Sequence, residues 1–149
     1  MRGMRRALAL FAVLLAAAAS PEELQQLDPF AQATSGYPAC PPAHPRLYTN
    51  EEAGTAAHAR SERGTRCAME GTCEPGGAYR RDPEINEAVR AAIAADKRFA
   101  NTAVWITTSR RWVTLEGCVH TSAQREALVK FVGRQPRVER VFDSLVVRR

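Results

Sequence analysis

The chain has 149 residues, of which 7% are aromatic, so it has room for one domain with accessory segments but not for a large hydrophobic core. Its net charge of +5 is unevenly spread: residues 20–78 hold four arginines against eight acidic residues, whereas residues 79–149 hold 14 basic residues against eight acidic ones. An anionic surface is therefore a candidate partner for the second half, although an ordinary solvated surface has the same composition.

The first 19 residues have the three parts of a secretory signal peptide. An unbroken apolar run over residues 7–19 follows three arginines, Arg2, Arg5 and Arg6. The run is shorter than the roughly 20 residues that a membrane-spanning helix needs, and Ala17 and Ala19 fit a cleavage signal after Ala19. We therefore expect a periplasmic or secreted mature chain without a transmembrane span, with an uncleaved anchor as the alternative. Export also disfavours nucleic acid as a partner.

Export changes how the four cysteines are interpreted. An even number in an oxidising compartment predicts two disulfides, and three connectivities are open. Cys67 and Cys73 could close a small loop, which would leave Cys40 to join Cys118. The other two connectivities also join Cys118 to the preceding segment, since it is the only cysteine outside residues 40–73.

Residues 20–78 are predicted to be a largely irregular spacer, because they hold most of the prolines and show weak apolar periodicity. A short helix over residues 51–63 fits the pattern, although Gly54 weakens it. The composition shifts at Arg80-Arg81-Asp82, which places the start of the folded domain at about residue 79.

From Asp82 onward the periodicity predicts helix and strand. Asp82 is a suitable N-cap and Pro83 a suitable first residue for a helix that extends to about Lys97. Its buried stripe consists of Ile85, Val89 and Ile93. Two alternating strands then flank Arg110-Arg111, which predicts an antiparallel hairpin. Its outward face should carry Trp105, Thr107, Trp112, Thr114, Glu116 and Cys118.

A second helix and a third strand complete the domain. Residues 121–124 match a capping box, and Gly133 and Pro136 end the helix. The strand over residues 138–147 directs inward Val141, Leu145 and Val147, and outward Phe142, Ser144 and Val146. The order αββαβ predicts an α+β two-layer sandwich, with two helices packed on one face of a three-stranded mixed sheet.

Residues 79–149 resemble the BON family, a module of bacterial osmotic-stress and nodulation-type proteins. The resemblance lies in the acidic helix start at Asp82, a V-x-L-x-G-x-V motif over residues 113–119, and a V-x-x-V-x-(D/N)-x-L-x-V motif over residues 138–147. It implies a non-enzymatic envelope module without a cofactor, whose partners are anionic phospholipid or envelope proteins. A periplasmic, chaperone-like stress protein is the alternative that the resemblance leaves open.

The outward sheet face is the candidate contact face because it is unusually apolar. Besides Cys118 it carries Trp105, Trp112, Phe142 and Val146. Exposed together, these side chains would form a patch that signals a contact. Three explanations remain open: the spacer folds back over the face through a disulfide at Cys118, another protein binds it, or it contacts a membrane, where tryptophan favours the interface. A wrong assignment of strand faces would remove the patch.

Other residues divide into candidate contacts and structural positions. The candidate anionic-lipid contacts are Arg90, Lys97, Arg98, Arg110 and Arg111. Gly117 should give the first helix room where it crosses the sheet, and Asp143 should be a buried carboxylate that accepts backbone hydrogen bonds. Neither a zinc spacing with His44, His58 and His120 nor a catalytic or C-x-x-C motif is present, so a redox or catalytic protein is the least favoured interpretation.

Overall fold

The computed structural model describes residues 23–148, so the predicted signal peptide lies outside the described residues. In chain order the elements are β1 (Gln25–Gln26), β2 (Phe30–Ser35), β3 (Leu47–Tyr48), α1 (Asn50–Met69), α2 (Asp82–Ala95), a 3₁₀ turn (Lys97–Phe99), β4 (Ala103–Ser109), β5 (Trp112–Val119), α3 (Ser122–Gly133) and β6 (Arg140–Val147). Within the described range, no helix combines the length and the apolar character needed to cross a membrane.

The αββαβ order predicted for the C-terminal part is confirmed by α2, β4, β5, α3 and β6. β4 and β5 pair antiparallel and are joined by the predicted turn. β5 and β6 pair parallel and are connected by α3. Inward residues of the sheet and both helices share one core, which includes Val104, Ile106, Leu115, Leu145, Ile85, Val89, Ile93, Leu128 and Val132. The helices therefore cover one face of the sheet and leave the other to the spacer or to solvent.

The sheet has four strands rather than the predicted three. β2 of the spacer pairs antiparallel with β4, which gives the order β2-β4-β5-β6 and leaves β2 and β6 as the edges. Ala31 and Ala33 of β2 join the core beneath the helices. The Asn86 side chain in α2 donates to the carbonyl of Pro29 at 3.1 Å, which ties the start of this strand to the helix layer.

The expectation of a largely irregular spacer is wrong, because α1 extends well beyond the short helix over residues 51–63. Thr49 begins it with a capping box: its hydroxyl accepts from the Glu52 N–H, and the Glu52 carboxylate accepts from the Thr49 N–H. Arg60 Nη2 donates to both carboxylate oxygens of Asp28, at 2.8 and 2.9 Å. The first part of the spacer and α1 are thereby joined by an ion pair.

The two predicted helix starts have different outcomes. α2 begins at Asp82 itself with Arg81 in the N-cap position, so the N-cap role predicted for Asp82 is wrong. Thr121 is the N-cap of α3, and its hydroxyl accepts from the Gln124 N–H at 3.0 Å. In a capping box the Gln124 side chain would accept from the N–H of Thr121. Here it accepts from the N–H of His120, so only the Thr121 half of the predicted capping box is formed.

Candidate binding face of the sheet

The outward face of the sheet divides into two regions along the strands. One region lies near the hairpin turn, and we call it the open patch; it consists of Arg110, Trp112, Arg140 and Phe142. The other lies toward the opposite end of β4 and β5, and we call it the covered half; it consists of Ala103, Trp105 and Cys118.

The covered half lies beneath residues 37–43 of the spacer. Cys40 forms a disulfide with Cys118, with the two sulfur atoms 2.09 Å apart. Trp105 is only 8% exposed, because it packs with this disulfide and with three spacer side chains, those of Phe30, Tyr37 and Ala43. The structure thus places the spacer over this half of the face, as the first of the three explanations expects.

All four cysteines are paired, in one of the connectivities that the sequence leaves open. Cys67–Cys73 joins residues six positions apart, whereas Cys40–Cys118 joins residues 78 positions apart. Cys40 and Cys118 are both buried, which is typical of a structural disulfide rather than one that exchanges readily. Among the residues that the structure describes, no group of histidine, cysteine and carboxylate side chains is placed to hold a metal ion.

The open patch combines aromatic rings with two guanidinium groups. The Cζ atoms of Arg110 and Arg140 lie 4.6 and 5.2 Å from the centroid of the Trp112 ring. Phe142 meets Trp112 edge-on, with ring centroids 5.7 Å apart, and is 40% exposed. From residue 23 to residue 148, no carboxylate forms an ion pair with either arginine. The patch therefore presents two uncompensated positive charges beside an aromatic platform.

The backbone that carries Arg110 has an unusual conformation. Arg110 and Arg111 are the two turn residues between β4 and β5, and their φ angles of 57° and 63° follow the pattern of a type I′ hairpin. Asp82 accepts both turn N–H groups, that of Arg110 on Oδ2 and that of Arg111 on Oδ1, each at 2.8 Å. Burial raises the pKa of the Asp82 carboxyl above its usual value, while these two N–H donors act in the opposite direction.

The five predicted lipid contacts are not brought together. Three of them are paired with carboxylates: Arg90 with Glu87, Arg98 with Asp96, and Arg111 with Glu139. Lys97 lies in the 3₁₀ turn after α2, and only Arg110 belongs to the open patch. The structure adds Arg140, whose outward direction follows from its position two residues before Phe142 on the same strand.

The four residues of the predicted contact face also separate. Trp105 is covered by the spacer, whereas Trp112 and Phe142 belong to the open patch. Val146 is 48% exposed, but it pairs with Cys118 and lies two outward positions beyond Phe142 along β6. The apolar face is therefore divided rather than continuous.

Gly117 and Asp143 have environments that differ from those predicted. A Cβ atom at Gly117 would lie 2.0 Å from the carbonyl oxygen of Ala103, and φ at Gly117 is 122°, so this glycine gives room to β4 and not to a helix. Asp143 is exposed instead of buried, because it reaches past the core to an ion pair with Arg125 of α3 at 2.7 Å. It also accepts the N–H of Leu145 within its own strand.

Comparison with known proteins assigns the C-terminal part. Residues 81–149 match the family model described as BON domain, a range that contains α2, β4, β5, α3 and β6 and therefore the open patch. No significant match was found among the curated proteins or among the solved structures. The matched range begins one residue before α2. Residues 81–149 of this chain form a BON domain.

Proposed function

We propose that this protein is an exported envelope-binding module that contacts anionic phospholipid through the open patch. The observation that carries the proposal is the pair of guanidinium groups beside Trp112, those of Arg110 and Arg140, which have no carboxylate partner among the described residues. The family supports the class of function, because BON domains are non-catalytic modules associated with phospholipid binding.

The chemistry of the patch fits the boundary between lipid headgroups and acyl chains. Indole rings favour the membrane–water interface, and guanidinium groups bind phosphate oxygens in a planar, bidentate geometry. A basic residue near an anionic membrane contributes about 1 kcal/mol, so Arg110 and Arg140 together supply about 2 kcal/mol of salt-sensitive attraction. An open sheet face also suits a lipid surface better than a small soluble ligand, which is usually held in a concave pocket.

Export is part of the proposal, since the patch can meet envelope lipid only outside the cytosol. The arginines and the apolar run of residues 1–19 support export. The two disulfides support the same conclusion, because such bonds persist in oxidising compartments. A periplasmic or secreted location follows as a proposal from these two features.

Co-sedimentation with lipid vesicles tests the proposal. We expect protein purified with its disulfides intact to pellet with phosphatidylglycerol vesicles but not with phosphatidylcholine vesicles, and to be released as salt shortens the electrostatic range. The double variant Arg110→Gln, Arg140→Gln should lose this binding. The matched control Arg90→Gln, Arg98→Gln removes the same charge from arginines that are already paired, and should bind nearly as the wild type does. Equal binding to both lipids, or to neither, contradicts the proposal.

A second candidate function is the capture of an envelope protein or an unfolded client by the apolar side chains of the same face. The exposure of Phe142 and Val146, 40% and 48%, favours it. Salt distinguishes the two functions, because high salt weakens arginine–phosphate attraction but not apolar contact. Client binding that persists in high salt and is lost in Phe142→Ser would favour capture over lipid binding.

A further inference from the structure

The turn that presents Arg110 is unfavourable for its own residues. Left-handed backbone angles crowd the Cβ atom, and Asn-Gly or Asp-Gly is the usual sequence of such a hairpin. Here both positions are arginines, with φ angles of 57° and 63°. A group outside the hairpin must therefore stabilise the turn.

The stabilising group is the carboxylate of Asp82. Its two oxygens accept one turn N–H each at 2.8 Å, from residues 28 and 29 positions later in the chain. Asp82 is 2% exposed, so a ligand on the outward face cannot touch it. Since α2 packs on the inward face of the sheet, Asp82 connects the helix layer to the turn that carries the open patch.

The backbone conformation of this turn determines where the Arg110 guanidinium lies. Its Cζ is 4.6 Å from the Trp112 ring centroid, and its Nε is buried without a hydrogen-bond partner. Between residues 23 and 148, no acceptor holds the Arg110 side chain by a hydrogen bond. The position of this guanidinium therefore depends on the Trp112 ring and on the conformation of the turn beneath it.

We infer that Asp82 is a positioning residue of the open patch, whose carboxylate holds the left-handed turn and thereby keeps Arg110 over Trp112, where a lipid phosphate is bound. The ligand in this inference rests on the proposed function, whereas the position of Arg110 does not.

A purely electrostatic role for Asp82 predicts the opposite effect from a positioning role. Removing a negative charge beside the turn would strengthen binding to anionic vesicles, whereas loosening the turn would weaken it. In Asp82→Asn the side chain keeps one acceptor oxygen and presents an NH2 group to the second turn N–H, so one of the two bonds is lost. We expect the affinity for phosphatidylglycerol vesicles to fall about fivefold, the contribution of one basic residue.

Two further variants separate positioning from a general structural role. Asp82→Asn should have no added effect on vesicle affinity once Arg110→Gln is present, because both changes remove the same contribution. Arg111→Gly should rescue the turn, since glycine adopts positive φ without a Cβ penalty. In the Arg111→Gly background, Asp82→Asn should change vesicle affinity by less than about twofold.

A measurement without vesicles keeps the inference separate from the proposed function. Ring-current shifts of the Arg110 side-chain protons report their position over Trp112, and the methyl resonances of Val89 and Leu128 report the core. We expect Asp82→Asn to lose the shifts while the core resonances persist. Loss of the shifts in a protein that binds no vesicles would sustain the positioning role and reject the proposed function. Unchanged shifts, or unchanged or tighter vesicle binding by Asp82→Asn, would overturn the inference.

Discussion

Trp105 and Trp112 lie on the same outward sheet face, in neighbouring strands, and have opposite environments. The spacer, joined through Cys40–Cys118, buries Trp105, whereas Trp112 lies beside two guanidinium groups that have no acidic partner in the described part of the chain. The chain thus covers one region of the face and leaves the other both aromatic and cationic. Apolar character alone therefore does not distinguish the two regions; what distinguishes the open patch is that no described segment covers it and that its positive charge is uncompensated.

Replacing each tryptophan by alanine should give the largest difference between the two regions. Trp105→Ala should lower the free energy of unfolding by about 3–5 kcal/mol, the usual cost of truncating a large buried aromatic side chain. Trp112→Ala should lower it by about 1 kcal/mol or less, because its ring is partly exposed. Vesicle binding should show the reverse order. Urea denaturation and co-sedimentation measure both quantities, and equal losses of stability would remove the distinction between the regions.

The two disulfides provide the next test of the role of the spacer that lies over the covered half. Replacing Cys40 and Cys118 by serine should cost about 4 kcal/mol, because this bond closes a long loop in the unfolded chain. Replacing Cys67 and Cys73 should cost only about 2 kcal/mol, because their loop is short. Thermal unfolding compares the two variants, and tryptophan fluorescence should shift to the red only in the first, where Trp105 meets water. A larger loss of stability in the Cys67/Cys73 variant would contradict a stabilising role for the spacer over the covered half.

The strands of the domain could be predicted from sequence because aliphatic residues alternate along β4, β5 and β6, with one interruption in each strand, at Thr108, Gly117 and Asp143. β2 gives no such signal: its core residues are Ala31 and Ala33, and alanine is depleted in strands and favours helices. The full length of α1 cannot be predicted for a related reason. It buries Ala53 and is otherwise largely polar, so no apolar stripe marks its length.

The candidate site could be predicted only in part. Strand alternation predicts that Trp112 and Phe142 point outward, and the outward position of Cys118 makes a spacer folded over the face one of three open explanations. The local capping rule assigned Asp82 to the N–H groups of its own helix, whereas the structure gives it those of a turn 28 residues later. Such a contact depends on how a helix packs on the sheet, which no local pattern encodes.

Asp82, which joins α2 to the turn that carries Arg110, should make the stability of the protein depend on pH. Burial raises the pKa of Asp82 by more than the N–H donors of Arg111 and Arg110 lower it, so the folded protein binds this proton more tightly than the unfolded chain does. The contribution of Asp82 to stability therefore rises as the pH falls through its raised pKa in the folded protein, and is lost as the pH rises through that pKa. Wild type should exceed Asp82→Asn in free energy of unfolding by more at about pH 4.5 than at about pH 7.

Comparing wild type with Asp82→Asn at each pH cancels the contribution of the exposed carboxyl groups, which both proteins share. Glu74, for example, has its pKa lowered by the hydrogen bond from Arg81, and its effect on stability has the opposite sign. It is present in both proteins and cancels in the difference. Urea denaturation at several pH values measures the difference, and one that shrinks on acidification would show that the N–H donors outweigh burial at Asp82.

The smallest expected effect concerns the edges of the sheet. Both edge strands adjoin the outward face: β2 lies along β4 beside the covered half, and β6 carries Phe142 of the open patch. The backbone N–H of Arg148 donates to the carbonyl of Val119 in β5. Because N–H groups alternate in direction along a strand, the N–H of Leu145, three residues earlier, points away from β5 toward the open edge. The Asp143 carboxylate accepts the Leu145 N–H at 3.0 Å, which removes a donor that an added strand would need.

Asp143→Ala should therefore change association more than stability. Loss of an exposed ion pair should cost about 1 kcal/mol or less, but the freed Leu145 N–H should allow copies of the chain to pair edge to edge. Arg125→Ala is the matched control, because it breaks the same ion pair and leaves the bond to Leu145 intact. In sedimentation velocity at rising concentration, wild type and Arg125→Ala should behave alike and Asp143→Ala should form larger species. Equal association of both variants would mean that the ion pair, not the blocked N–H, protects the edge beside the open patch.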